Sequence, residues 1–174
     1  MWRLSPRDSP PAPISRRETC WSRISTTAAI ATPQQGSLQI FNHNGTLVAA
    51  LNDANLLDSP WDLTINDEGS LAQVFVSNVL SGTVTRLNLS VSNNRVTVVS
   101  KTRIGPGYAH QPDPAAVVVG PTGLAYDPIH DTLYVASTAD NKIFAIGEAG
   151  SALAALTWGT RCLRIKRTCM ARSD

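Results

Sequence analysis

Residues Gly120–Ser137 read "GPTGLAYDPIHDTLYVAS", and residues Ser59–Asn78 read "SPWDLTINDEGSLAQVFVSN". The two stretches match in order. Pro60 aligns with Pro121, Leu63 with Leu124 and Ile65 with Tyr126. After a two-residue slip in the turn, Phe75-Val76 aligns with Tyr134-Val135. Ser81-Gly82 then aligns with Asp140-Asn141, and Val84 and Leu87 align with Ile143 and Ile146. Prolines, turn residues and apolar positions agree over nearly thirty residues, so the chain carries an internal repeat, the observation to settle first in any assignment of fold.

The local signals inside each repeat are those of β-strands. "WDLTI", "QVFVSNV", "GTVTRLNL" and "RVTVVSK" are short runs rich in β-branched and aromatic residues, separated by "NDEG", Ser81-Gly82 and Asn93-Asn94. Turn signals every eight to twelve residues predict an all-β chain of antiparallel strands. The next repeat offers "TGLAYD", "TLYVAST" and "NKIFAIG" and then breaks down. Upstream, "GSLQIFNHNGTLVAAL" predicts two strands, Leu38–Phe41 and Thr46–Leu51, joined at Asn44-Gly45, a pair in which both residues accept positive φ. Phe75-Val76 and Leu133-Tyr134-Val135 are apolar at adjacent positions, the pattern of strands buried on both faces. A sheet sandwiched between two neighbouring sheets, as in a β-propeller, supplies that second face.

Length and charge frame this core. The 174 residues suffice for one ordinary domain. Residues 36–156 hold five basic and ten acidic side chains, whereas residues 1–35 carry a net +3 and residues 157–174 a net +4. Cys20, Cys162 and Cys169, and Trp2, Trp21 and Trp158, all lie in those basic ends. Three cysteines cannot all pair within one chain, and the Cys162–Cys169 spacing fits no zinc motif, so free thiols are expected. The basic ends lack aromatic interleaving or any nucleic-acid-binding motif, so nucleic acid is not an expected partner. No run is long enough for a membrane-spanning helix. "SRRETCWSRISTTAAIA" is at most a degraded signal peptide, because Ser25, Thr26 and Thr27 stand where apolar residues belong. Pro6, Pro10, Pro11, Pro13 and Pro33, scattered among Ser, Thr and Arg, mark residues 1–35 as a poorly ordered lead.

"GPTGLAYDPIHDTLYVASTADNKIFAI" resembles the NHL-repeat β-propellers and their relatives among bacterial extracytoplasmic six-bladed propellers. The shared features are a Pro-initiated strand, a small-residue turn, "LYVAS", a polar Asp-Asn turn and "KIFAI". "SPWDLTI…VFVSN…GTVTRLNL" fits a second time, and "GSLQIFNHNGTLV" fits the outer half of a preceding blade. The resemblance covers about residues 36–147. It implies an incomplete propeller of about two and a half four-stranded antiparallel blades, divided as 36–58, 59–119 and 120–156, with 157–174 a disordered basic tail. It also implies an extracytoplasmic location, periplasmic or secreted.

A bare blade face exposing on the order of 500 Å² of apolar surface costs roughly 10 kcal/mol by area, comparable to the stability of a whole domain. The chain is therefore expected to be marginal, to self-associate, or to belong to a longer propeller. "TWGTRCLRIKRTCMARSD" abandons the repeat where an outer strand is due, as a shifted reading frame or truncated gene model would.

Candidate site residues are few. "GPGYAHQPDPAAVVVG", Gly105–Gly120, is a Gly/Pro-rich excursion between repeats that Val117–Val119 ends as a short strand. On it Tyr108, His110 and Asp113 lie close together, and long loops carry function more often than short ones. His43 and His130 stand in turns, and no His pair has metal-ligand spacing. Asp62 opens an inner strand, but its counterpart is Gly123, so a solvated strand-end role is expected. Some propellers of similar fold are metal-dependent lactonases or lyases with ligands along the central channel. Glu is too scarce here to complete such a set, so no catalytic, metal or cofactor residue is assigned and no cofactor is expected. Asn44-Gly45-Thr46 and Asn88-Leu89-Ser90 match the glycosylation acceptor pattern, at a frequency expected by chance. The expectation is a non-catalytic module that binds a protein, glycan or small ligand, or that packs against further blades or another copy of itself. The alternatives are a piece of a propeller enzyme and a truncated product without independent function.

Overall fold

The computed structural model describes residues 35–93 and 95–151, together with the strand assignment of 23–25 and 161–163. Within them the chain is all-β, and every strand pairing is antiparallel. The first sheet joins β1 (Arg23–Ser25), β2 (Ser37–Phe41) and β3 (Leu47–Leu51) in chain order. The second is a four-strand meander of β4 (Pro60–Asp67), β5 (Leu71–Asn78), β6 (Thr83–Ser92) and β7 (Arg95–Gly105). A hairpin of β8 (Gln111–Asp113) and β9 (Val117–Val119) leads into the third sheet. That sheet orders β10 (Pro121–Asp127), β11 (Thr132–Ser137), β12 (Lys142–Gly147) and β13 (Arg161–Leu163).

The register of the second and third sheets reproduces the sequence repeat pair by pair. Leu63 faces Val76 and Ile65 faces Val74, as Leu124 faces Val135 and Tyr126 faces Leu133. Each inner strand carries a β-bulge directly after its opening proline. Closing bonds recur as well, from the Val79 amide to the Ser59 carbonyl (3.2 Å) and from the Thr138 amide to the Gly120 carbonyl (2.8 Å). Gly82 and Asn141, aligned by sequence alone, both take left-handed backbone, at φ +58° and +50°. A repeat that reproduces bulge, turn and register shares geometry as well as composition.

The sheets stack through two apolar layers. Between the first and second, Leu38 and Ile40 pack on Val74, Val76, Leu87 and Leu89. Between the second and third, Phe75 and Val84 pack on Leu133, Val135 and Ile146. Consecutive residues of β5 therefore belong to different cores: Val74 and Val76 to one, Phe75 to the other. This is burial on both faces, as the unbroken apolar run predicts. β11 differs. Leu133 and Val135 are fully buried, but Tyr134 is 36% exposed, because the third sheet has a neighbour on one side only among the described residues. The expectation that Leu133, Tyr134 and Val135 fill both faces is corrected at Tyr134.

Two further expectations change. Residues 23–25 of the lead form β1 and pair with β2. Residues 161–163 of the tail form β13 and take the fourth-strand place in the third sheet. Both segments lack an apolar period, but antiparallel pairing draws on backbone N–H and C=O groups that every non-proline residue carries. Residues 1–22, 26–34, 152–160 and 164–174, with Cys20 and Cys169, lie outside the described residues. The first hairpin also closes differently from the Asn-Gly rule. Only Gly45 takes positive φ (+77°), and the buried Asn42 side chain accepts the amides of Asn44 (3.1 Å) and Thr46 (2.9 Å).

Candidate functional site

The excursion between β7 and β10 leaves the second sheet at Gly105 and folds back over Gly82. The Tyr108 amide donates to the Gly82 carbonyl (3.0 Å), and the Ala109 amide donates to Asp140 Oδ2 (3.1 Å). The same carboxylate oxygen accepts the Ser137 hydroxyl (2.7 Å), so Asp140 ties the loop to the third sheet. Tyr108 is buried, with its ring edge-on to Phe144 at 5.2 Å between centroids. Gly105 permits this, since a Cβ there would stand 3.0 Å from the tyrosine oxygen. Burial, and then the Asp140 charge, push the Tyr108 phenol well above its ordinary range, and its hydroxyl has no hydrogen-bond partner among the described residues. The ring is a core side chain, and deprotonation chemistry is out of its reach near neutral pH.

His110 is exposed, and its Nδ1 lies 2.9 Å from the Tyr108 carbonyl oxygen. Asp113 points elsewhere: its Oδ1 accepts the amides of Ala115 and Ala116, both at 2.8 Å, capping the turn of the β8–β9 hairpin. That hairpin includes a γ-turn at Val117 (φ +68°), closed by the Val118 amide on the Ala116 carbonyl (2.8 Å). The three residues singled out from the sequence thus separate. Tyr108 and His110 line one cleft with Gly107, Ala109, Gln111 and Ala139, of about 450 Å³. Asp113 does not line it. The cleft offers backbone groups, one phenol, one imidazole and one amide side chain.

Asp62 is not merely solvated. Its Oδ2 accepts the amide of Leu124 at 2.8 Å, joining the inner edges of β4 and β10. Its own amide donates to the Ser77 hydroxyl (3.1 Å), which satisfies the bulge backbone. The sequence comparison missed this because the partner is a backbone N–H, and Gly123 aligns with Asp62 only by position. Beside it Trp61 is 40% exposed.

A polar cluster at the other end of the second interface also escaped the sequence. Arg86 interrupts the apolar "TVTRLNL" and is 4% exposed, with Nη1 donating to the Ala149 carbonyl at 2.7 Å. Burial lowers its pKa while the Asp131 carboxylate raises it, and an arginine in that balance stays charged. Asp131 Oδ1 accepts the Tyr126 hydroxyl (2.9 Å) and the Gly150 amide (2.5 Å), and its Oδ2 accepts the Ser151 hydroxyl (2.9 Å). Burial pushes this carboxyl up, but the Gly150, Ser151 and Tyr126 donors outweigh it and hold the group below its ordinary value. Tyr126, pushed to about 12 by burial and by Asp131, stacks on Phe75 at 4.7 Å. Gln73 closes the cluster by donating to the Gly150 carbonyl (2.9 Å). These groups pin two sheets together.

His130 Nδ1 lies 2.6 Å from Asp127 Oδ2 on an exposed turn. No three His, Cys, Asp or Glu side chains converge among the described residues, and no helix there is long and apolar enough to cross a membrane. Comparison of the chain with known protein families, curated proteins and solved structures finds no match.

Proposed function

We propose that the chain is an NHL-like, propeller-type blade array that acts as a non-catalytic scaffold, binding a protein, glycan or small ligand at the loop cleft of Gly107–Gln111 and Ala139. One observation carries the reading. Three carboxylates at the sheet junctions and in the inter-sheet loop are engaged in holding backbone: Asp62 holds Leu124, Asp113 holds Ala115 and Ala116, and Asp140 holds Ala109. What the cleft presents is shape and hydrogen-bonding capacity, the usual currency of a recognition surface. The bulged inner strands and the repeated stacking of meander sheets support the propeller assignment.

Metal analysis of the purified chain combined with a lactone-hydrolysis screen tests the assignment. The expected result is no turnover, with amide chemical-shift changes at Gly107–Gln111 when a ligand library is titrated. Stoichiometric metal together with turnover would make the chain part of a propeller enzyme and overturn the scaffold reading.

A further inference from the structure

The two internal interfaces are built alike, and the array ends in the two halves of a third. At each interface the forward face of one sheet meets the rear face of the next. The first sheet presents Leu38 and Ile40 forward onto Val74, Val76 and Leu87 of the second. The second presents Val84 and Phe75 forward onto Leu133, Val135 and Ile146 of the third. Register makes Val74, Val76 and Leu87 the counterparts of Leu133, Val135 and Ile146.

The forward face of the third sheet includes Ala125, Tyr134, Ala136, Ile143 and Ala145, placed side by side by the register, with Asp127 beside Thr132 at one end and Arg161 of β13 paired with Ala145. Ala125 is exposed and Tyr134, at the Phe75 position, is 36% exposed. The first five side chains carry no charge, and Asp127 stands at their margin. At the other end, the rear face of the first sheet places Phe41 beside Leu47 and Gln39 beside Ala50, and β1 pairs Arg23 with Gln39. Leu47 is 49% exposed and Ala50 is exposed. Among the described residues one molecule therefore carries a forward face and a rear face that no other sheet covers, the two kinds of surface that meet twice inside it.

We infer that a second copy of the chain docks head to tail, the rear face of its first sheet (Phe41, Leu47, Ala50) on the forward face of the third sheet (Ala125, Tyr134, Ile143). The contact is heterologous, so it leaves one face free at each end and propagates to a closed ring or an open filament. It rests on the observed stacking alone and survives failure of the scaffold reading, which is tested by turnover and ligand binding and not by mass.

Two variants separate this geometry from every symmetric one. Tyr134→Glu places a charge on the forward face, and Leu47→Glu places one on the rear face. Light scattering behind size exclusion, over a concentration series, reads the mass. The wild-type mass is expected to rise past the dimer with concentration, and each variant alone is expected to stay at the monomer. Mixed in equal amounts, the two variants should double in mass and stop there, because each retains the face the other lacks. Ala125→Lys and Ala50→Lys, at exposed positions, repeat the test with the opposite charge, and circular dichroism with a cooperative melt confirms that each variant folds. A wild-type chain that stays monomeric throughout overturns the inference. So does a dimer that persists in Leu47→Glu alone, since that is a forward-to-forward pair, or a mixture that fails to double in mass.

Discussion

Gly82 is where the inter-sheet loop and the second sheet are tied, and replacing it tests that tie quantitatively. Its φ is +58°, and an added Cβ would fall well inside contact distance of the Tyr108 carbonyl oxygen and the His110 ring. Gly82→Ala therefore incurs about 1–2 kcal/mol for a left-handed L-residue. Pushing the Tyr108 carbonyl aside adds about 1–3 kcal/mol of overpacking. Loss of the bond from the Tyr108 amide to the Gly82 carbonyl, 3.0 Å long, adds about 1 kcal/mol. The expected total is about 3–6 kcal/mol. Gly69→Ala is the control, since Gly69 also has positive φ (+87°) but a Cβ there meets nothing within 4 Å. It carries only the conformational cost, about 1–2 kcal/mol. The gain from a less flexible unfolded chain is common to both and cancels. Urea unfolding monitored by circular dichroism reads the difference, and about 2 kcal/mol or more should separate the midpoints by roughly 1 M. Equal midpoints for the two variants would refute the packing of the loop on Gly82.

Phe75 and Tyr134 occupy the same repeat position with opposite burial, 0% and 36% exposed. Phe75→Ala should destabilise by about 3–5 kcal/mol and Tyr134→Ala by about 1 kcal/mol or less, read from urea midpoints of the monomer. Tyr108→Phe should stabilise by about 1 kcal/mol, because it removes a buried hydroxyl that has no partner among the described residues; a destabilised variant would show that the hydroxyl is hydrogen-bonded. The Asp131 carboxyl is held below its ordinary 3.8 in the folded chain, so its contribution is present above that value and lost as pH falls through the lower folded value. Asp131→Asn should flatten that acid limb of a pH–stability profile, and an unchanged slope would assign the limb to other carboxylates. Tyr126 works in the opposite direction. Its folded value of about 12 exceeds the ordinary 10.0, so its stabilisation is full below pH 10 and is lost as pH rises toward 12. Tyr126→Phe should remove that alkaline loss.

The strands of the two meanders from Pro60 to Gly147, and their repeat, were legible from residues alone, for a physical reason, whereas β1 and β13 were not. A strand inside a repeated meander meets the same steric demands each time, so Pro60 and Pro121, or Val76 and Val135, answer the same local question. Turn chemistry is equally local, and the matched left-handed residues Gly82 and Asn141 follow from it. The adjacent apolar residues of β5 likewise announced a strand buried on both faces.

What the sequence left undecided depends on neighbours distant along the chain. Tyr134 is written like Phe75, yet one lies at an end of the stack and the other inside it, and only the arrangement of sheets distinguishes them. Tyr108 and His110 share a cleft while Asp113 turns away, because hydrogen bonds to Gly82, Asp140 and Ala115 steer the loop. Asp62 and Arg86 acquire their roles from backbone atoms 62 and 63 residues away. A backbone carbonyl or amide has no residue type, so no pattern in the sequence can name it as a partner. Local periodicity therefore determined the repeat and the strands inside it, and tertiary packing alone decided that β1 and β13 join the sheets, which faces are covered and which polar groups are already in use.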